Sequence, residues 1–575
     1  MLKYLRPYIS AILFLITATV GGVAATLKLP DFTARIINEG IIGGHQDIIV
    51  PVGLQMLGIA LVGGIFTIIT GYLSARIGTG FSRDLRAGLF TKVERFSLVE
   101  MNTFSPSSLI TRTTNDIQQV QTVLVMVMRM VLAAPITAIW ALYKANAIAP
   151  DMSWIMALAI TALLAVVITL FVLVIPKFQL VQKLTDKLNL VSRENITGIR
   201  VIRAFDNQHN EADRLKKVNT DLTKTNIFVA RATALMQPVM FLILNLVSVV
   251  IVWSGAHLIG TYVLEIGDML AFMQYAIQVI FSFLMITIVF IMVPRALVSG
   301  KRILEVLSVD PIIKDPITPK ETKQANGVLV FNDVTFGYDQ ADVPILENIS
   351  FTAQPGQVTA IIGSTGSGKS TLINLVPRFY DTLFGEITID GVNITEMSQH
   401  QLRSIIGYVP QKSVIFSGTI HSNIAYSNKT ANTDDIHNAA RIAQADEFIS
   451  LLPKAYETPI SQYGTNLSGG QKQRISIARA ITKDPSIYIF DDTFSALDYK
   501  TEVTLRHELK KVTKQKTVLI VAQRVNTILH ADQIIVLDKG KNIGQGTHQE
   551  LMKTCSVYQE IAKSQLSEDE LNKYL

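Results

Sequence analysis

Cysteine is almost missing from this 575-residue chain. Cys555 stands alone, which excludes an internal disulfide framework and any metal centre built on several thiolates. Charge is scarce too, at 17% of residues. The scarcity is uneven: long apolar runs dominate up to about Val293, and a composition ordinary for a soluble domain follows. With a mean hydropathy of +0.34, this reads as a membrane half joined to a soluble half, and the chain is too long for one core. The net charge of +6 is small for the length. Its basic residues gather beside apolar runs, where they report membrane topology before nucleic-acid binding.

Six spans can be counted, at about 9 to 28, 50 to 74, 121 to 143, 153 to 176, 234 to 258 and 268 to 294, each near the roughly 20 apolar residues a bilayer requires. The connection from 76 to 120 carries Arg76, Arg83, Arg86, Lys92, Arg95 and Arg112, and that from 177 to 231 is richer still. The opposite loops hold only Lys28, Arg35 and Lys144. This positive-inside pattern puts both termini and the soluble half in the cytoplasm. The two basic connections lack Pro/Gly clusters and suit helical extensions of the spans. Arg129, inside the third span, has two readings: it lines a water-filled path, or it snorkels to the interface. Met126, Met128 and Met130, with Phe272, Met273, Phe281, Phe283 and Met285, either line an adaptable apolar cavity or pack against lipid.

In the soluble half, Gly363-Ser364-Thr365-Gly366-Ser367-Gly368-Lys369-Ser370-Thr371 matches Gly-x-x-x-x-Gly-Lys-Ser. Glycines let such a loop fold into an anion-binding nest, lysine supplies a cation to the β- and γ-phosphates, and the serine hydroxyl can ligate Mg²⁺. The context fits, with a buried strand before the loop and a helix after it. Ile487 to Phe490 form a second apolar strand run ending in Asp491, a group suited to Mg²⁺ at a strand end. Between them lies Leu467-Ser468-Gly469-Gly470-Gln471, opening a helix and making a second anion site without a lysine.

LSGGQ between a P-loop and a strand ending in Asp is the signature of the ATP-binding cassette proteins, and six spans followed by one cassette resemble an ABC exporter half-transporter. The resemblance implies a polytopic α-helical membrane domain of six helices, type I exporter-like, fused to an α/β P-loop cassette. The expected division is 1–310 for the membrane domain, 311–326 for a linker and 327–575 for the nucleotide-binding domain, with a polar tail from Ser567. It further implies that Tyr338 stacks on adenine, Gln411 meets Mg²⁺ and the membrane domain, and Ser495 to Asp498 communicate across a cassette dimer. ATP and Mg²⁺ are the expected cofactors. Coupling helices at the tips of the long connections are expected at Phe104 to Leu109 and Ile199 to Phe205.

The sequence departs from the family pattern at three places. Asp492 stands where the family has a catalytic glutamate; it is one methylene shorter, and a general base must lie within about 2.6–3.2 Å of its proton. Gln523 replaces the switch histidine, and Gln462 a glutamate ahead of the signature. This combination resembles the degenerate-site subunit of heterodimeric bacterial multidrug exporters. It implies a homologous half-transporter as partner, hydrophobic small molecules as cargo, membrane lipid around the spans and a bacterial plasma-membrane location. A lipid or lipid-linked precursor flippase and an ATP-gated channel or regulatory subunit are the alternatives. No peptidase-like stretch precedes the first span, which argues against a processing peptide exporter, and the spans exclude a soluble cassette ATPase acting on nucleic acid.

Overall fold

The computed structural model describes residues 1–261, 263–321, 326–338 and 343–566; residues 322–325 of the expected linker and the tail from Ser567 lie outside them. Contacts divide the chain into two units. One comprises Met1–Arg95 and Phe104–Val309; the other comprises Phe96–Thr103 and the chain from Asp310 onward.

The first unit is helical. Among the described residues, six helical stretches are long and apolar enough to cross a membrane. Lipid offers backbone groups no partners, so a helix, which satisfies them within itself, is the form such runs must take. Several continue far beyond the bilayer: Ile49–Glu94, Ser153–Thr197, Gln208–Gly260 and Ile266–Ser308 have 46, 45, 53 and 43 residues, against the roughly 20 a bilayer needs. The basic connections are therefore helical extensions. Inside the unit, Ala141, Ala145, Met152, Ile155, Phe272, Tyr275 and Ala276 form one buried cluster, where alanines let helices approach closely. Phe272 and Met128 are thus interhelical packing residues, whereas Phe281 and Met285 are exposed. Arg129 is exposed, in a π-turn at Val127–Val131.

The first connection holds a short helix, Leu98–Thr103, that belongs to the second unit and lies ahead of the expected tip at Phe104 to Leu109. Ser105 then caps a separate helix, Pro106–Thr111, by accepting from Ser108 N, and Pro106 is suited to that first turn. Ser97 and Glu100 fasten the start of the Leu98–Thr103 helix: Ser97 N donates to Glu100 Oε2 at 2.6 Å, and Val99 N donates to Ser97 Oγ at 3.2 Å. The second tip, Ile199–Ala204, forms a short helix where expected.

The second unit holds a six-stranded sheet, in spatial order Lys541–Gly546, Gln533–Asp538, Val358–Gly363, Thr517–Val521, Ile487–Asp491 and Ile406–Val409. The last five run parallel. Alternate side chains enter opposite cores, Ile487 and Ile489 on one face and Tyr488 and Phe490 on the other, so these strands read as unbroken apolar runs. A four-stranded antiparallel sheet, from Leu329–Phe336 to Val392–Asn393, shares the first of those cores. The register aligns Val521 with both Asp491 and Ile361. Gly363, Gln411, Asp491, Asp492 and Gln523 consequently gather at the carboxyl ends of neighbouring strands, the edge where open parallel sheets bind ligands.

Candidate functional site

The loop from Ser364 to Gly368 follows the Val358–Gly363 strand and feeds the Lys369–Leu375 helix. Gly368 adopts φ +98°, and a Cβ there would lie 2.7 Å from Leu346 Cδ2; both the backbone form and the contact require glycine. Lys369 Nζ donates to the carbonyls of Gly363 at 2.9 Å and Ser364 at 2.7 Å. Burial lowers its pKa, an effect opposed by Asp492 and Asp491. Ser370 Oγ donates to Asp491 Oδ1 at 3.1 Å. Asp491 is buried, which raises its pKa; Asp492 adds to that rise, and the Ser370 bond and Lys369 oppose it. Ser367 Oγ is buried and has no hydrogen-bond partner among the described residues.

A cavity of about 280 Å³ is lined by Thr365, Gly366, Gly368, Lys369, Ser370, Thr371, Gln411, Asp491, Asp492 and Gln523. Asp492 has φ +45°, and its Oδ2 accepts two amides: Gln411 Nε2 at 3.0 Å and Gln523 Nε2 at 2.8 Å. Ser495 Oγ donates to its carbonyl at 2.8 Å. The sequence named all three residues but not this junction, because the amides come from positions 81 and 31 residues away. Only the strand order makes them neighbours.

Tyr338 donates or accepts at Thr371 Oγ1 over 3.2 Å and meets Phe336 and Tyr380 edge-on, at 5.1 and 5.3 Å between centroids. A second cavity, of about 550 Å³, lies against Phe336, Tyr338, Tyr380 and Asp381 and reaches Val99 and Asn102. Asn102 Nδ2 donates to Tyr380 Oη at 3.4 Å. Tyr380 is a site-proximal residue that the sequence did not single out.

The signature is elsewhere. Ser468 caps the Gly469–Thr482 helix in a reciprocal box with Gln471: Ser468 N donates to Gln471 Oε1 at 2.9 Å, and Gln471 N to Ser468 Oγ at 3.3 Å. Leu467 is buried beneath the helix start, whereas Ser468 and Gly469 are exposed. None of Leu467 to Gln471 lines the P-loop cavity. Asp498 caps the Tyr499–Val512 helix, and the Thr501 N–H and hydroxyl hold its pKa below the usual range. Gln462 opens a 3₁₀ turn that carries Tyr463 at φ +59°. The chain therefore presents two glycine-bearing helix starts, one in a cavity with a cation and carboxylates and one on the surface.

This arrangement defines a P-loop nucleotide-binding domain behind a helical membrane domain, and comparison with known proteins places it. The ABC transporter family model matches residues 346–495, and the ABC transporter transmembrane region matches residues 11–283. An uncharacterized ABC transporter ATP-binding protein of Mycobacterium tuberculosis is 37% identical over 567 residues, 98% of this chain and 97% of that protein. The uncharacterized ABC transporter ATP-binding protein YfiB of Bacillus subtilis is 36% identical over 99% of this chain and 98% of its own length. A solved structure of a bacterial Atm1-family ABC exporter with ATP bound superposes with a TM-score of 0.82 at 26% identity, over 98% of this chain and 99% of that one. The chain belongs to the ABC transporter family. It is an exporter half-transporter, a multi-pass membrane protein whose ATPase domain drives transport across the membrane.

Proposed function

We propose that this chain is one half of a heterodimeric exporter of hydrophobic or amphipathic compounds, and that its own ATP site binds nucleotide but hydrolyses it slowly. The observation that carries the reading is the Gln411–Asp492–Gln523 junction. Asp492 is one methylene shorter than the usual base, and its Oδ2 already accepts two amide donors. The two amides occupy the lone pairs of Oδ2, so that oxygen has no position left from which to take a proton from water. Gln523 brings no titratable ring to the γ-phosphate.

ATP would be held by the Gly363 to Thr371 loop, with Lys369 on its phosphates and adenine against Tyr338. The oxygen donors of Ser370 and Asp491, already 3.1 Å apart, suit a Mg²⁺ ion that also takes phosphate and water, and Gln411 lines the same cavity. Mg²⁺ would neutralise phosphate charge. The signature from Leu467 to Gln471 is absent from this cavity, and its Ser468 and Gly469 are exposed on the surface, which supports its completing a partner's site, with Ser495 to Asp498 at the dimer seam. Apolar residues of the second cytoplasmic tip are exposed, Phe205 at 79%, as is the stacked pair Phe416 and Tyr426 on the cassette; a homologous partner would supply the complements. The cassettes and both termini would lie in the cytoplasm of a bacterium, following the basic connections.

The test is co-purification with a candidate homologous half-transporter, followed by ATPase assay. The complex should hydrolyse ATP at least about 10²-fold faster than this chain alone, and hydrophobic drugs should stimulate it more than purified lipid does. Full activity from this chain alone, unchanged on adding the partner, would sink the heterodimer reading.

A further inference from the structure

Gln565 ends the C-terminal helix Ser556–Gln565, and both ends of its amide engage the segment that follows the Thr517–Val521 strand. Its Oε1 accepts from Val525 N at 2.8 Å, and its Nε2 donates to the Gln523 carbonyl at 3.0 Å. One side chain thus fixes the backbone on either side of Arg524. The helix that carries it is itself anchored, with Tyr558, Ala562 and Leu566 buried in the domain core. Beyond Gln523 the hydrogen bonds continue to Asp492 Oδ2, where Gln411 joins from the opposite loop.

We infer that Gln565 is a positioning residue for this chain's nucleotide site: it holds the switch segment so that Gln523 meets Asp492, and so makes the C-terminal helix a determinant of how long nucleotide stays bound. The inference rests on the reading of that site as a slow, ATP-retaining one. Glutamine has three side-chain torsions, and ordering them opposes the Gln523–Asp492 bond. A backbone clamped at 523 and 525 reduces the disorder to be overcome, because the side chain then starts from one fixed point. Gln565 does not line the P-loop cavity, so its influence runs through the backbone it holds.

Release of a fluorescent ATP analogue from the full-length protein in detergent tests this. Gln565→Met keeps side-chain length and helix packing but loses both hydrogen bonds, and release should quicken about 10-fold. Gln565→Glu keeps an acceptor for Val525 N but cannot donate to the Gln523 carbonyl, and should give an intermediate rate. In a Gln523→Ala background, Gln565→Met should add nothing, which a purely structural role would not produce. Unchanged release in Gln565→Met, or the same acceleration with and without Gln523, overturns the inference. If Gln565→Met lowers the unfolding midpoint, Gln565→Glu decides, and parental release from it is the overturning result. Lys369→Ala tests the site reading separately: it should abolish binding, and undiminished binding would sink that reading whatever Gln565 does.

Discussion

At the end of the Ile487–Asp491 strand two successive carboxylates meet different surroundings. Asp491 is buried beside Ser370, whereas Asp492 turns through φ +45° to meet two glutamine amides. Lengthening Asp492 to Glu restores reach but leaves both amides in place, and Gln523→His alone leaves the short carboxylate. The two changes should therefore act together. Either single variant should raise ATP hydrolysis by less than about 10-fold, and the double variant by about 10²-fold, within the usual range for a general base. Phosphate release by the purified chain measures this, and an additive pair of small effects would show that the junction does not restrain Asp492. Both residues were legible as departures from a motif. Their hydrogen bonds were not, since a side chain's partner across a parallel sheet is fixed by strand order rather than by spacing.

Among the elements, the Leu98–Thr103 helix is fastened to the second unit by one buried carboxylate. Glu100 is 4% exposed; its Oε2 takes Ser97 N and Oγ, and its Oε1 takes Ile312 N at 2.9 Å. Burial alone would raise its pKa, but the hydrogen bonds from Ser97 and Ile312 prevail and hold it below the usual glutamate range. A depressed carboxylate contributes stability that is present above the unfolded value of about 4.3 and lost as pH falls through the lower folded value. The staple is therefore intact at neutral pH. Gln at this position can accept at one oxygen only and sets an amide N–H against Ser97 N–H. Glu100→Gln should loosen the helix by about 1–3 kcal/mol, read as faster amide hydrogen exchange across Phe96–Thr103. Unchanged exchange would mean that Glu100 does not fasten this segment. The connection was legible from its basic residues and length, whereas the Leu98–Thr103 helix depends on the contact of Glu100 with Ile312 N, 212 residues away, which no local pattern shows.

For the whole molecule, the separation of the P-loop cavity from the exposed signature sets the expectation. If the two belong to different composite sites in a heterodimer, damage to each should have unequal effects. Ser468→Arg should lower the steady-state ATPase of the assembled transporter by about 10²- to 10³-fold, the scale of removing an oxyanion-type donor. Lys369→Ala should lower it by less than about 10-fold. Equal losses from the two substitutions would indicate two equivalent sites.

The sequence by itself determined what depends on local order along the chain: six apolar runs long enough to span a bilayer, the basic bias of two connections between them, the phosphate loop, the signature and the two departures from the family pattern at Asp492 and Gln523. These follow from hydrophobic length, charge bias and motif spacing, all of which are one-dimensional. Tertiary structure alone decided which side chains met. Strand order brought Gln411 and Gln523 onto one oxygen of Asp492, helix packing put Met128 and Phe272 in interhelical contacts, and the C-terminal helix laid Gln565 along the backbone at Gln523. Such contacts arise between residues distant in sequence, and their geometry is set only when the sheet and its covering helices close over a common core.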